Sequence, residues 1–139
     1  MFRNILVPVN FTTDNKKALD IAVKIAANEK GSVHLLHVVE IIANTTFTEF
    51  KEFYSKLEMR AQKRMDSLIT LCKNDQVEIL PTIFFGDRVE EILAFSKKRR
   101  IDLIVMNSHK ISLDNPSQGW GTISYKIGIL SQCPVMLVK

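Results

Sequence analysis

Apolar runs of strand length alternate with stretches of helical periodicity along this 139-residue chain. The apolar runs are nearly continuous rather than alternating with polar residues, which is typical of strands buried on both faces of a sheet. They cover residues 3–9, 32–39, 77–84, 101–106 and 134–138, and the helical stretches between them cover residues 14–30, 48–74, 87–98 and 121–130. Strands that alternate with helices form parallel sheets. The pattern therefore predicts a Rossmann-like α/β fold, a doubly wound, five-stranded, mainly parallel sheet with helices on both faces.

The first two predicted helices each have an apolar face. The first helix can be capped by the hydroxyl of Thr12 or Thr13, and Gly31 is expected to end it because glycine tolerates the left-handed conformation at a helix end. The long second helix carries an apolar stripe at intervals of three and four residues, made up of Phe50, Tyr54, Leu57, Ala61, Met65, Leu68 and Cys72. Core packing is the favoured interpretation of this stripe, and a lipid-binding or partner-binding face is the alternative.

The composition is that of a globular protein and predicts a single domain over residues 1–139. Hydrophobic residues make up 46% and charged residues 24%, which argues against disorder, and a net charge of +4 does not favour a nucleic-acid partner. Cys72 and Cys133 fit no metal-binding spacing, so we expect buried, reduced thiols and no metal, with a structural disulfide as the less supported alternative. Neither a signal peptide nor an apolar run of membrane-spanning length is apparent, and we expect a cytoplasmic protein without membrane association.

Two of the predicted strands end in polar residues. The first strand ends in Pro8, Val9 and Asn10, and the fourth ends in Met106 and Asn107, which begins a polar loop over residues 107–118. In an open parallel sheet, the carboxyl ends of the strands line the ligand crevice. These residues are therefore candidates for ligand contact.

Four segments of the chain resemble the universal stress protein family. Residues 4–12 resemble its opening strand, residues 34–39 its second strand, residues 102–109 its Asp-Leu-Ile-Val-Met-Gly-(Thr/Ser)-His motif, and residues 121–138 its closing helix and strand. The resemblance implies a strand order of 3-2-1-4-5, so that Asn10 and Asn107 face each other across one crevice. It also implies ATP or another adenine nucleotide as the ligand, and a homodimer formed through the C-terminal edge strand.

The resemblance places a nucleotide site on residues from both ends of the chain: Pro8, Val9, Asn10, Val38, Met106, Asn107, Lys110, Gly121, Thr122 and Ile123. Nucleotide-binding members of the family carry Gly-x-x-Gly, nine further residues and Gly-(Ser/Thr). The glycines allow backbone amides to approach phosphate oxygens closely. We interpret the ten residues as the family's adenine-nucleotide site between strands one and four.

This chain departs from the family's pattern at several of these positions. Asn107 and Lys110 replace the first two glycines, ten residues rather than nine precede Gly121, and Asn10 replaces the usual aspartate. Lys110 either binds phosphate directly or fills the phosphate position. We therefore predict a degenerate site that binds ATP weakly or not at all.

The sequence leaves three functions open. The favoured one is a small regulatory or protective binding module of the stress response, and the second is a dimeric interaction protein that has lost nucleotide binding. A slow ATP hydrolase is the least supported, because Asp14 and Asp114 are the nearest carboxylates and suit capping or turns. No common nucleotide-binding or hydrolase motif supports an evolved enzyme.

The histidines, the tryptophan and the densest basic run have simpler interpretations. His34 and His37 fall on opposite faces of a strand, which excludes a shared metal and favours structural hydrogen bonds. His109 lies in the predicted ligand loop and is a candidate for a functional role there, whereas packing against the protein surface is favoured for Trp120 over stacking on a ligand. Residues 97–100 form a basic run at a helix end, which favours a solvated surface over an anionic docking site.

Overall fold

A computed structural model describes residues 1–11, 15–108, 114 and 122–139. Its described part holds five strands and four helices. The strands are β1 (Asn4–Pro8), β2 (Ser32–Glu40), β3 (Glu78–Gly86), β4 (Leu103–Asn107) and β5 (Val135–Val138). The helices are α1 (Asn15–Ala27), α2 (Lys51–Cys72), α3 (Arg88–Lys98) and α4 (Ile123–Leu130).

The strands form one sheet in the order β3-β2-β1-β4-β5, and each neighbouring pair is parallel. The predicted doubly wound α/β fold and its strand order are therefore confirmed. β1 lies in the middle of the sheet between β2 and β4, with Ile5 opposite Leu103 and Leu6 opposite Ile104. This arrangement brings the carboxyl ends of β1 and β4 together at the same end of the sheet, as predicted.

Helices cover both faces of the sheet. Alternate strand residues point to opposite faces, so each face presents apolar side chains that a layer of helices covers. On one face, Val7 and Leu35 pack with Leu19 of α1 and Met65 of α2. On the other face, the core is formed by α3, α4 and the remaining strand residues, including Leu6, Leu36, Val38, Ile92, Phe95, Ile104, Met106 and Ile127. Both faces are closed, which explains why the strands are apolar along their whole length.

The end of α1 differs from the prediction. α1 ends at Ala27, and the left-handed residue is Lys30, with φ of 51°, rather than Gly31. Gly31 is required for a different reason: a Cβ there would lie 2.3 Å from the carbonyl oxygen of Arg3. Glycine thus allows the chain entering β2 to approach the start of β1 closely.

The apolar stripe of α2 is confirmed over most of its length. Tyr54, Ala61, Met65, Leu68 and Cys72 are buried, and Leu57 is half-buried. Phe50 is an exception, because it precedes the helix and is 43% exposed. The stripe is therefore core, as favoured above, but it begins one turn later than the periodicity indicated.

The cysteines agree only in part with the prediction. Both are free thiols, but Cys72 is buried whereas Cys133 is half-buried. Among the described residues, no cluster of histidine, cysteine, aspartate or glutamate could hold a metal ion. None of the helices in the described part of the chain has the length and apolar character needed to cross a membrane.

Candidate functional site

The ends of β1 and β4 define the candidate site. Pro8 ends β1 beside Leu36 of β2, and Asn107 ends β4 beside Val138 of β5. The crevice of a doubly wound sheet forms where neighbouring strands continue into helices on opposite faces. β1 leads to α1 on one face and β4 leads towards α4 on the other, so this sheet has such a point between them.

Asn107 contacts a residue that the sequence did not bring to attention. Its Nδ2 donates to Oδ1 of Asn15, the first residue of α1, over 3.3 Å. Asn15 is only 4% exposed. The remaining polar atoms of this pair, Asn107 Oδ1 and Asn15 Nδ2, are buried without a hydrogen-bond partner in the described structure. A buried polar atom without a partner costs about 1–3 kcal/mol, so this pair is a locally unfavourable feature of the site.

The exit from β1 is held by His37 of β2. The Val9 amide donates to the Leu36 carbonyl over 2.8 Å, and the Val9 carbonyl lies 2.8 Å from His37 Nδ1. The imidazole of His37 also contacts the Phe11 ring, with 4.5 Å between centroids. Phe11 adopts φ of 62°, a conformation that is unfavourable for a residue with a Cβ. These contacts fix the chain direction as it leaves the sheet.

Burial lowers the pKa of His37, and the nearby positive charges of Arg88 and Arg64 lower it further against the opposing effect of the Val9 hydrogen bond. The neutral imidazole carries its hydrogen on Nδ1 when it donates to the Val9 carbonyl. His37 is therefore a structural residue in its neutral form. This confirms the predicted structural role.

Hydroxyl groups cluster where β4 and α4 meet. Ser108 Oγ lies 3.0 Å from Ser124 Oγ, which lies 3.2 Å from Thr122 Oγ1. The Lys139 ammonium donates to Ser108 Oγ over 3.2 Å and to the Tyr125 hydroxyl over 2.8 Å. Three hydroxyls and one ammonium group beside the first turn of a helix are suited to binding an anion.

The hydrogen bond from Lys139 is the main reason why the pKa of Tyr125 is lowered. Lys139 also lies against the ring of Tyr125, with 5.0 Å between its Nζ and the centroid. No sequence pattern marks Ser108, Ser124, Tyr125 and Lys139 as a group. They are separated by as many as 31 residues along the chain, and only the pairing of β4 with β5 brings them together.

The predicted site residues differ in their surroundings. Val9, Val38 and Met106 are buried, Pro8, Asn107, Thr122 and Ile123 are half-buried, and Asn10 is exposed. Val38 and Met106 belong to the core on the α3 and α4 face. Their side chains are therefore occupied in packing. The predicted contact of Asn10 with Asn107 across a crevice stays a prediction.

Several predictions concern residues outside those that the structure describes. They are the caps at Thr12 and Thr13, the roles of His109 and Trp120 in the predicted ligand loop, the two alternatives for Lys110, and the contribution of Gly121. Asp114 is described as an exposed turn residue, in keeping with the predicted turn. His34 also matches its predicted structural role, because its Nε2 lies 2.9 Å from Asn4 Oδ1 and its ring packs edge-on against Phe95.

Comparisons with known proteins agree on one family. The model of the universal stress protein family matches residues 1–139. The universal stress protein YxiE of Bacillus subtilis (strain 168) is 28% identical over 149 residues, which cover 100% of both chains.

Solved structures show the same fold. The universal stress protein UspA from Lactobacillus plantarum has a TM-score of 0.84 and 22% identity, with 99% of this chain and 98% of that chain covered. A universal stress protein from Arabidopsis thaliana with AMP bound has a TM-score of 0.69 and 22% identity, with 99% of this chain and 91% of that chain covered.

Proposed function

Because the chain belongs to the universal stress protein family, we propose that it is a small regulatory or protective binding module with a weak adenine-nucleotide site. The site lies at the end of the sheet where the carboxyl ends of β1 and β4 meet. The observation that carries this proposal is the direct pairing of β1 with β4, which places Pro8 and Asn107 at that end of the sheet. The Arabidopsis structure contains AMP, and two further similar universal stress proteins contain dAMP and cAMP.

The cluster of hydroxyl groups between β4 and α4 supports phosphate binding at this end of the sheet. Thr122, Ser124 and Ser108 are joined by hydrogen bonds, and the Lys139 ammonium adds a positive charge. A phosphate oxygen can accept from hydroxyls, from this ammonium and from amides in the first turn of α4. The described residues at this end of the sheet therefore fit an anionic group.

Asn107 is the reason why we propose weak binding. Its side chain extends towards α1 and contacts Asn15. A glycine in this place leaves the backbone open to close approach by a ligand, whereas a side chain does not. Asn107 thus offsets part of the affinity that the hydroxyls and Lys139 contribute.

Titration of the purified protein with a fluorescent ATP analogue and with AMP tests this proposal. We expect weak saturation for the natural protein and about tenfold tighter binding for Asn107→Gly, equivalent to about 1.4 kcal/mol. Asn44→Gly is a matched control, because Asn44 is exposed in a loop between β2 and α2. Micromolar binding by the natural protein, or equal affinities of the two variants, would contradict the proposed effect of Asn107.

A dimeric interaction protein without nucleotide is the second candidate function. The observation that favours it is the same Asn107–Asn15 contact, which ties the end of β4 to α1. Native mass spectrometry of freshly purified protein separates the two candidates. A bound adenine nucleotide supports the first, and a mass of protein alone, together with no binding in the titration, supports the second.

A slow ATP hydrolase remains the least supported candidate. Phosphate release, measured beside a Gly121→Ala variant, tests it directly.

The two free cysteines suit a reducing compartment, and we propose the cytoplasm as the location. We also propose that the protein forms a homodimer through β5.

A further inference from the structure

A cleft lies between α1 and α2 and adjoins the candidate nucleotide site through Asn15, which lines the cleft and accepts a hydrogen bond from Asn107. Its volume is about 440 Å³, which falls within the range of small-molecule sites. The first turn of α1 forms one side of the cleft and the C-terminal half of α2 forms the other. This location places the cleft on the helix-covered face of the sheet that is opposite to α3 and α4.

The lining combines cations with apolar surface. The cations are Lys16, Lys63 and Arg64, and the apolar side chains include Phe11 and Leu71. No acidic residue contributes to the lining found among the described residues. An occupant that matches this surface needs a negative head group and an apolar body.

The cations differ in how they are neutralised. Lys16 donates to Asp20 over 2.7 Å, and this ion pair satisfies its charge. Lys63 and Arg64 make no ion pair with any residue in the described ranges 1–11, 15–108, 114 and 122–139. The Arg64 guanidinium lies 5.8 Å from the centre of the Phe11 ring. Two positive charges are thus available beside the aromatic surface.

Phe11 and Leu71 provide apolar surface beside the cations of the cleft. Phe11 is half-buried and has a positive φ, and its ring lies against the imidazole of His37 and the guanidinium of Arg64. Leu71 is 66% exposed, and Phe53 and Met59 are the other large apolar side chains that α2 exposes. α1 also begins beside the cleft, and the positive end of its dipole favours a negative charge there.

From these observations we infer that the α1–α2 cleft binds a small organic anion, whose carboxylate or phosphate group contacts Lys63 and Arg64 and whose apolar body packs against Phe11 and Leu71. The cleft shares Asn15 with the candidate nucleotide site, but the residues proposed to contact this anion are Phe11 and residues of α2 rather than the ends of β1 and β4. The inference does not depend on nucleotide binding. Failure of one proposal therefore leaves the other intact.

Fluorescence of 8-anilinonaphthalene-1-sulfonate, an aromatic sulfonate, provides the first test. We expect saturable binding that phenyl phosphate or benzoate displaces and that benzyl alcohol, which lacks the charge, does not. Displacement by phenyl phosphate identifies a phosphate head group, and displacement by benzoate identifies a carboxylate. Equal displacement by benzyl alcohol would overturn the inference.

Variants on one helix provide the matched comparison. Lys63→Gln/Arg64→Gln is expected to weaken binding about tenfold, because two charge contacts at an exposed site are lost. Lys56→Gln/Arg60→Gln removes the same charge from exposed positions of α2 outside the cleft and is expected to bind like the natural protein. Circular dichroism confirms that each variant is folded. Equal weakening in both variants would indicate non-specific attraction, including attraction of nucleic acid, and would overturn the inference.

A third variant tests location without changing charge. Ser67→Trp places a large side chain in the cleft, where Ser67 contributes to the lining. We expect it to abolish binding of the sulfonate while leaving the ATP-analogue titration unchanged. In NMR spectra of the natural protein, phenyl phosphate should shift the amide signals of Ser67 and Leu68. Shifts confined to the ends of β1 and β4 would show that the anion binds elsewhere.

Discussion

Cys72 shows how burial controls the chemistry of a single side chain. Its thiol is buried beside α1, and burial, followed by a hydrogen bond with Asp20, raises its pKa to about 12. The thiolate is the reactive form of cysteine, and its fraction is very small at neutral pH when the pKa is this high. Cys133 is half-buried and is therefore more accessible.

We expect iodoacetamide at pH 8 to label Cys133 and to leave Cys72 unmodified in the folded protein. Mass spectrometry of peptides from the labelled protein measures both sites in one experiment. Cys133→Ser is the control, because any remaining label then reports Cys72. Labelling of the two cysteines at similar rates before denaturant is added would contradict the burial of Cys72.

The two strand histidines couple stability to pH. Burial is the main cause of the lowered pKa of both His34 and His37 relative to the ordinary value of 6.5. The unfolded chain then takes up protons more readily than the folded protein. The contribution of these residues to stability is therefore complete above pH 6.5 and is lost as the pH falls from there through their folded pKa values.

We expect the free energy of unfolding in urea to decrease between pH 7.5 and pH 5.5, and to decrease less in His34→Gln/His37→Gln. Most carboxylates stay ionised in this range, so their protonation contributes little. His109 is present in both proteins and cancels in the comparison. The comparison uses the slope with pH, so a lower overall stability of the variant does not affect it. An unchanged slope would show that other groups cause the pH dependence.

At the scale of elements, two glycines illustrate opposite constraints. Gly31 lies so close to the Arg3 carbonyl that a Cβ would force the backbone apart, and its own amide donates to the Ala26 carbonyl over 2.9 Å. Gly128 lies in α4, and a Cβ there would meet nothing within 4 Å. The same substitution should therefore change stability in opposite directions.

We expect Gly31→Ala to lower the free energy of unfolding by about 1–3 kcal/mol, because overpacking displaces the start of β1 or β2. Gly128→Ala should raise it by about 0.5–1 kcal/mol, because alanine loses less backbone entropy in a helix. Urea denaturation of the two variants and the natural protein measures both effects. Stabilisation by Gly31→Ala would show that the close approach to Arg3 is absent.

The elements were predictable because each has a local signal. Continuous apolar runs marked the strands, and the observed bounds differ from the predicted ones by one to three residues in most cases. The start of α2 was predicted less well, since Phe50 continues the spacing of the stripe although the helix begins after it. Periodicity describes which face of a helix is apolar, but it does not locate the residue at which the helix begins.

The candidate site was predictable only where the end of a strand or a family motif marked it. The ends of β1 and β4 were identified, but the Asn107–Asn15 pair and the contacts of Lys139 with Ser108 and Tyr125 were not. These contacts join side chains from separate elements, and their geometry depends on how the helices pack on the sheet. Sequence spacing carries no information of this kind for a single chain.

At the scale of the whole molecule, the two edges of the sheet are unequal. β3 carries Pro81 in its middle, and proline lacks the amide hydrogen needed to extend a sheet. β5 consists of Val135, Met136, Leu137 and Val138, and Met136 is 38% exposed. An apolar edge strand of this kind invites pairing with another chain. The asymmetry favours β5 over β3 as the dimer interface that we propose.

Helix α4 adds apolar surface next to this edge. It packs on the same face as β5 residues Val135 and Leu137, and its Ile129 is 81% exposed. A dimer formed edge to edge through β5 can cover part of this surface while it pairs the free backbone groups of the strand. Burial of apolar area then contributes to association in addition to the hydrogen bonds.

Light scattering after size exclusion should accordingly give about twice the single-chain mass of 15.9 kDa for the natural protein. Met136→Lys should shift the mass to that of one chain, because a charged side chain on an edge strand opposes pairing. Ile42→Lys is the matched control, since Ile42 is also exposed but lies outside α4 and β5, and it should stay dimeric. A single-chain mass for the natural protein at every concentration would rule out the dimer, whereas dissociation of the Ile42 variant alone would place the interface elsewhere.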